Sequence, residues 1–110
     1  MIMKKKITSQ KRGLPMENLE DELYKALLQV KTKSEMARFL SDLCTPQEIS
    51  AMAERWHVCQ LLNKGTLSYR AISDETGVSL ATITRVARFL HTEPEQGYRT
   101  ILDRMYTKKD

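Results

Sequence analysis

The side chains that could do chemistry in this chain fall into three sets, and one of them is spaced to do something. His57, Cys59, Cys44 and His91 are the soft metal ligands. Their spacing matches no zinc signature, and His57 and Cys59, two apart on a helix, point to different faces. No glycine-rich phosphate loop follows a strand, no Ser/His/acid or Cys/His pair has an assembled setting, and the carboxylates crowd helix starts, where capping explains them. This argues against an enzyme and against a metal or other cofactor. The third set lies in Leu67 to Leu90, LSYRAISDETGVSLATITRVARFL. Ser79, Leu80, Ala81 and Thr84 are short side chains opening a helix, which lets that helix sink into a DNA major groove and touch base edges. Arg85 and Arg88 project from the next turns, where guanidinium groups can reach phosphate.

Such side chains need a scaffold, and the same stretch supplies one. Two helical patterns, Ser68 to Thr76 and Ser79 to Leu90, are separated by Gly77, the sole helix breaker between them. Gly77 can take the left-handed conformation that ends the first helix, and Ser79 can cap the second. Ile72, Val78, Ile83 and Val86 offer the apolar contacts that two steeply crossing helices need, and Ser73 is small enough for close approach. The pattern is that of a helix-turn-helix.

Four further helices are expected around it. Leu19, Leu23, Leu27 and Val30 recur by four, four and three, with Glu17, Glu20, Asp21 and Glu22 in the early turns, which predicts a helix from Met16 to Lys31. Thr32 and Glu35 have capping-box spacing before a short helix from Lys33 to Leu43. Thr45-Pro46-Gln47-Glu48 combines an N-cap, a proline at the first helical position and a reciprocal Glu, so a long helix follows as far as Lys64-Gly65. That helix is apolar over much of its circumference, which predicts burial at the centre, with Trp56 in the core and Arg55 and His57 needing partners or an exit to solvent. Thr92-Glu93-Pro94-Glu95 is expected to start a last helix carrying Tyr98, Ile101, Leu102, Met105 and Tyr106.

The chain of 110 residues carries a net charge of +4 and a sequence pI of about 9.2, which suits a polyanionic partner. Residues 1 to 13, MIMKKKITSQKRG, form a basic arm with no acidic residue and no sustained apolar period, expected to be flexible. Residues 14 to 110 are expected to form one all-α domain. Two cysteines make no disulfide framework and no apolar stretch approaches a membrane or signal helix, so no membrane partner and a cytoplasmic location are expected. The apolar first and last helices exceed what one central helix can cover. An intertwined homodimer is therefore expected.

From Leu43 to about Leu90 the residues resemble the Trp repressor family. The matching pieces are the Thr45-Pro46 helix start, Arg55 on the long helix, Leu61-Leu62 before a glycine turn, and above all ATITR at Ala81 to Arg85. The helix order extends the likeness over most of Met16 to Thr107, and the chain is similar to the YerC/YecD branch of that superfamily. The resemblance implies a six-helix, all-α, intertwined dimer whose two recognition helices meet successive major-groove faces of double-stranded DNA. Half-sites would lie about 34–36 Å apart, a spacing known from helix-turn-helix dimers that include the Trp repressor itself. By matching position, Leu80, Ala81 and Thr84 would face bases, and Arg70 and Thr82 would lie near phosphate or the groove edge.

The resemblance also implies an effector pocket, and here the chain departs from the family. Thr45, Arg55 and Arg85 stand at pocket-lining positions, the two arginines flanking the ligand's indole. Val86, however, replaces a glycine beside the ligand, and Phe89 replaces a serine that meets its amino group. Overpacking a cavity costs roughly 1–3 kcal/mol or more, which argues against tryptophan as effector. Three readings stay open: a site filled by Phe89 with both arginines salt-bridged to acidic neighbours, a site for a smaller amino acid or another carboxylate, or arginines that contact phosphate. The function expected is sequence-specific DNA binding in transcription regulation, as a repressor in a bacterial cytoplasm. The alternative is a helical module that binds protein or RNA without operator function.

Overall fold

A computed structural model describes residues 16–106 of the chain as six α-helices, with no strand among the described residues. They are α1 (Met16–Leu27), α2 (Lys33–Leu43), α3 (Pro46–Lys64), α4 (Tyr69–Thr76), α5 (Leu80–His91) and α6 (Gly97–Tyr106). The chain divides into two units, Met1–Leu43 and Cys44–Asp110. The expected basic arm lies outside the described residues.

In the first unit, α1 stops four residues before the expected Lys31. The amides of Gln29 and Val30 turn back to Ala26 and Leu27, bonds that tighten and close the helix. The Lys31 N–H is then taken by the Glu35 carboxylate at 2.9 Å, while the Thr32 hydroxyl accepts from the Glu35 N–H at 3.0 Å. The start of α2 thus claims the residue that would have extended α1. No described residue of α1 or α2 is buried, and Leu28 is 81% exposed.

The second unit holds the core: Val58, Cys59 and Leu62 of α3, Ile72 of α4, Val78 of the turn, Ile83, Val86, Ala87 and Leu90 of α5, and Leu102 of α6. Helix α5 packs on α3, α4 and α6 and so is the hub of this unit. Helix α3 begins as its sequence dictates, with Thr45 and Glu48 in a reciprocal capping box at 3.1 and 2.8 Å and Pro46 in the first turn. It is not buried along its whole length, as its apolar circumference had suggested. Burial starts at Val58, where α3 joins the shared core, and Met52 stays exposed. His57 finds its exit to solvent, one residue from buried Val58.

The last helix begins at Gly97 rather than at Thr92 to Glu95. The Thr92 hydroxyl donates backwards to the Arg88 carbonyl at 2.9 Å, and the Thr92 and Glu93 amides bond the same oxygen. That threonine therefore closes α5 instead of opening α6. Gln96, at φ 57, makes the corner, and its carbonyl accepts from the Thr100 N–H and hydroxyl. At its far end α6 is tied to α3 by the Tyr106 hydroxyl, which donates to Gln60 Oε1 at 2.6 Å.

Candidate functional site

The joint between α4 and α5 is fixed by hydroxyl groups as much as by glycine. Gly77 ends α4 at φ 78, ψ 2, with its N–H on the Ser73 carbonyl. The Ser73 hydroxyl donates to the Val78 carbonyl at 2.8 Å. The Thr76 hydroxyl donates to the Ile72 carbonyl at 2.7 Å and accepts from the Val78 N–H at 3.1 Å. Two residues of α4, Ser73 and Thr76, thus bond the backbone of the turn, which leaves Val78 free to sink into the core and sets where α5 begins. Ser73, singled out in the sequence for its size, also works through its oxygen.

Helix α5 opens with Ser79 as N-cap, its hydroxyl accepting from the Thr82 N–H at 3.1 Å and donating to the Thr82 hydroxyl at 3.1 Å. Of the four residues expected to face bases, Leu80 (42% exposed), Ala81 and Thr84 lie open to solvent without a partner fixing them. Ser79 is exposed as well, but its hydroxyl proton is already spent on Thr82. Arg70 is exposed on α4, and Thr82 is half-buried at the start of α5. On the opposite side of α5, Ile83, Val86, Ala87 and Leu90 are buried. The helix is therefore held rigidly by one face and presents the other.

Beyond Thr84 the exposed side of α5 becomes cationic. The Arg85 guanidinium carbon lies 4.4 Å from the Phe89 ring centroid and that of Arg88 lies 5.2 Å from it. Contacts of this kind are worth about 0.5–1 kcal/mol at exposed sites and hold the flat groups in place. Arg88 Nε also meets Glu93 Oε2 at 3.3 Å.

The five positions of the expected effector pocket are not gathered within the chain. Thr45 sits at the α3 N-cap, its hydroxyl taken by Glu48, and Arg55 stands ten residues further along the same helix, about 15 Å away by helical rise. Val86 faces the core at 1% exposure and lines no open space. Arg85 and Phe89 do meet, stacked on each other. The acidic partners expected of Arg55 and Arg85 are not found among the ion pairs of the described residues. Burial pushes the Tyr98 phenol above its usual range, Cys59 adds to that, and the charges of Arg55 and Arg85 pull against it. Tyr98 also stands 6.3 Å from Trp56, ring centre to ring centre. The spacing of α6 had placed Tyr98 on its apolar stripe, and no local signal tied it to Trp56 on another helix. Glu93 was missed as a partner of Arg88 for a similar reason, since its place before Pro94 reads as a helix start.

Residues 18–106 match the family described as Trp repressor protein. The chain is 41% identical over 85 residues to the uncharacterized protein YerC of Bacillus subtilis, covering 77% of this chain and 80% of that one. It is 35% identical over 74 residues to a Trp operon repressor homolog of Chlamydia trachomatis, covering 64% of this chain and 79% of the other. The crystal structure of a TrpR like protein from Eubacterium eligens superposes with a TM-score of 0.74 at 31% identity, over 84% of this chain and 94% of that one.

Proposed function

The chain belongs to the Trp repressor family, and from that premise we propose that it is a sequence-specific regulator of transcription that binds double-stranded DNA as an intertwined homodimer. The observation that carries this reading is the two-faced α5. Its inner face is the hub of the core, and its outer face offers Leu80, Ala81 and Thr84 within a helix-turn-helix whose turn is tied to α4 by the Ser73 and Thr76 hydroxyls. In this reading those three side chains touch base edges, with Ser79 beside them serving mainly as cap. Arg70, Thr82 and Arg88 meet the phosphate backbone. The regulator acts in a bacterial cytoplasm as a repressor, by occupying a promoter.

Two features support the homodimer. Leu19, Leu23, Tyr24, Leu28 and Leu43 are exposed in a unit with no buried residue among those described, and apolar surface of that kind is covered in a stable assembly. Thr45 and Arg55 are also too far apart on one helix to line one small pocket, so a pocket using both takes Thr45 from a second copy. Sedimentation at micromolar concentration should give a dimer, and a folded monomer there would remove this part of the proposal.

Tryptophan is not the effector in this reading, because Val86 is packed into the core and Phe89 lies under Arg85. DNA binding then needs no ligand. Selection of bound fragments from a genomic DNA pool, run with and without a panel of amino acids, tests target and effector together. One set of fragments in both arms is expected. A set that depends on a small amino acid or other carboxylate would replace the filled site by a liganded one. Gel shifts that favour RNA over duplex DNA under competition would overturn the DNA reading.

A further inference from the structure

The C-terminal end of α5 and the turn after it form a cluster around Arg88. Phe89 carries two guanidinium groups on its ring, those of Arg85 and Arg88. Two like charges so close repel each other, and an anion beside one of them relieves the repulsion. Glu93 supplies it, with Oε2 3.3 Å from Arg88 Nε. This carboxylate is not a long side chain that met a partner by chance. The Glu93 N–H is bonded to the carbonyl of Arg88 itself at 3.1 Å, and the Glu93 carbonyl accepts from Gln96 Nε2 at 2.7 Å. Gln96 in turn holds the corner at φ 57. The whole turn aims Glu93 back at α5. The Glu93 side chain is 35% exposed and that of Arg88 56%, so an incoming anion can reach the arginine.

We propose that Glu93 is a built-in competitor for the DNA backbone: it holds Arg88 on Phe89 in the free protein and is displaced when Arg88 takes a phosphate. The idea rests on the DNA-binding reading above. A carboxylate and a phosphate offer the same charge-assisted acceptors to a guanidinium, so the exchange swaps one partner for another of the same kind. Its consequence is uniform. Arg88 contributes less to binding any duplex, so overall affinity falls, whereas the sequence preference set by Leu80, Ala81 and Thr84 is untouched. Phe89 is the positioning residue that keeps Arg88 within reach of either anion.

A double-mutant cycle on Arg88→Ala and Glu93→Gln tests the exchange, using a random-sequence duplex over a salt series and the salt needed for elution from heparin as a second polyanion. With Arg88 present, Glu93→Gln should tighten nonspecific duplex binding about threefold, and with Arg88→Ala the gain should fall to less than about 1.5-fold. Phe89→Leu should shrink the coupling and Phe89→Tyr should keep it. Equal gains in both backgrounds would mean a simple change of net charge and would overturn the proposal, as would no gain in either. If no form binds duplex DNA but the coupling persists on heparin, the DNA reading fails while the Arg88–Glu93 exchange stands for another polyanion. Absence of coupling on both probes overturns the exchange itself.

Discussion

Helices α1 and α2 and helices α4 to α6 are written in the same amphipathic code, yet the two regions end in opposite states. In the second unit the apolar stripes of α4, α5 and α6 close around Ile72, Ile83, Leu90 and Leu102, and hydrogen-bonded caps lock the joints. In the first, stripes of similar strength leave Leu19, Leu23 and Leu28 in the open. The difference teaches that an apolar stripe states a need for cover without saying where the cover comes from. A region with its own core can act as a rigid carrier for a reading helix. A region without one leaves its apolar side chains to whatever else can cover them.

The comparison can be broken first where its contrast is greatest. Ile83→Ala removes a fully buried side chain from the hub helix and should cost about 2–5 kcal/mol in denaturant unfolding. Leu23→Ala, on the open face of α1, should instead show itself as roughly a tenfold weaker dimer in sedimentation, since a covered leucine side chain is worth about 1.5–3 kcal/mol. No change in either measurement at Leu23 would mean that this face is ordinary solvent surface.

The two cysteines sharpen the same contrast through pH. Burial pushes the Cys59 thiol from its ordinary 9.0 to about 11, against the opposing pull of Arg99. A raised folded value means that the thiol keeps its proton longer in the native state. The associated stability is present below pH 9 and is lost as pH rises through 11, by up to about 3 kcal/mol. The difference between wild-type and Cys59→Val unfolding curves over that window isolates the effect, and parallel curves would refute it. Half-buried Cys44, at the edge of the second unit, should react with a thiol reagent well before Cys59.

Smaller effects probe the joints. Gly77 stands at φ 78 with open space where a side-chain carbon would go, so Gly77→Ala should cost only the backbone strain, about 1–2 kcal/mol, without a packing defect. A much larger loss would mean that the turn is packed more tightly than its surroundings show. Ser79→Ala and Thr32→Ala remove equivalent caps from α5 and α2. Each cap is worth about 1 kcal/mol, but the loss should appear in global stability mainly at Ser79, where the helix belongs to the core. Equal losses at both sites would place α2 in the same cooperative unit as α5.

The legible parts of this protein were those written in short-range chemistry. The Thr45 to Glu48 capping box, the left-handed Gly77, the Ser79 cap and the order of six helices follow from spacing over three or four residues, because hydrogen bonds of that reach depend on little else. Even the departures at the end of α1 and before α6 were local contests, in which the Lys31 N–H went to Glu35 of α2 and Thr92 closed α5 rather than opening α6. What the sequence could not decide was which side chains meet across helices. Tyr98 of α6 stands beside Trp56 of α3, and Arg88 is met by Glu93 instead of standing free. Those partners were set by how α3, α5 and α6 pack and by the corner at Gln96, and packing sums many weak contacts over distant positions, which no short stretch of sequence contains.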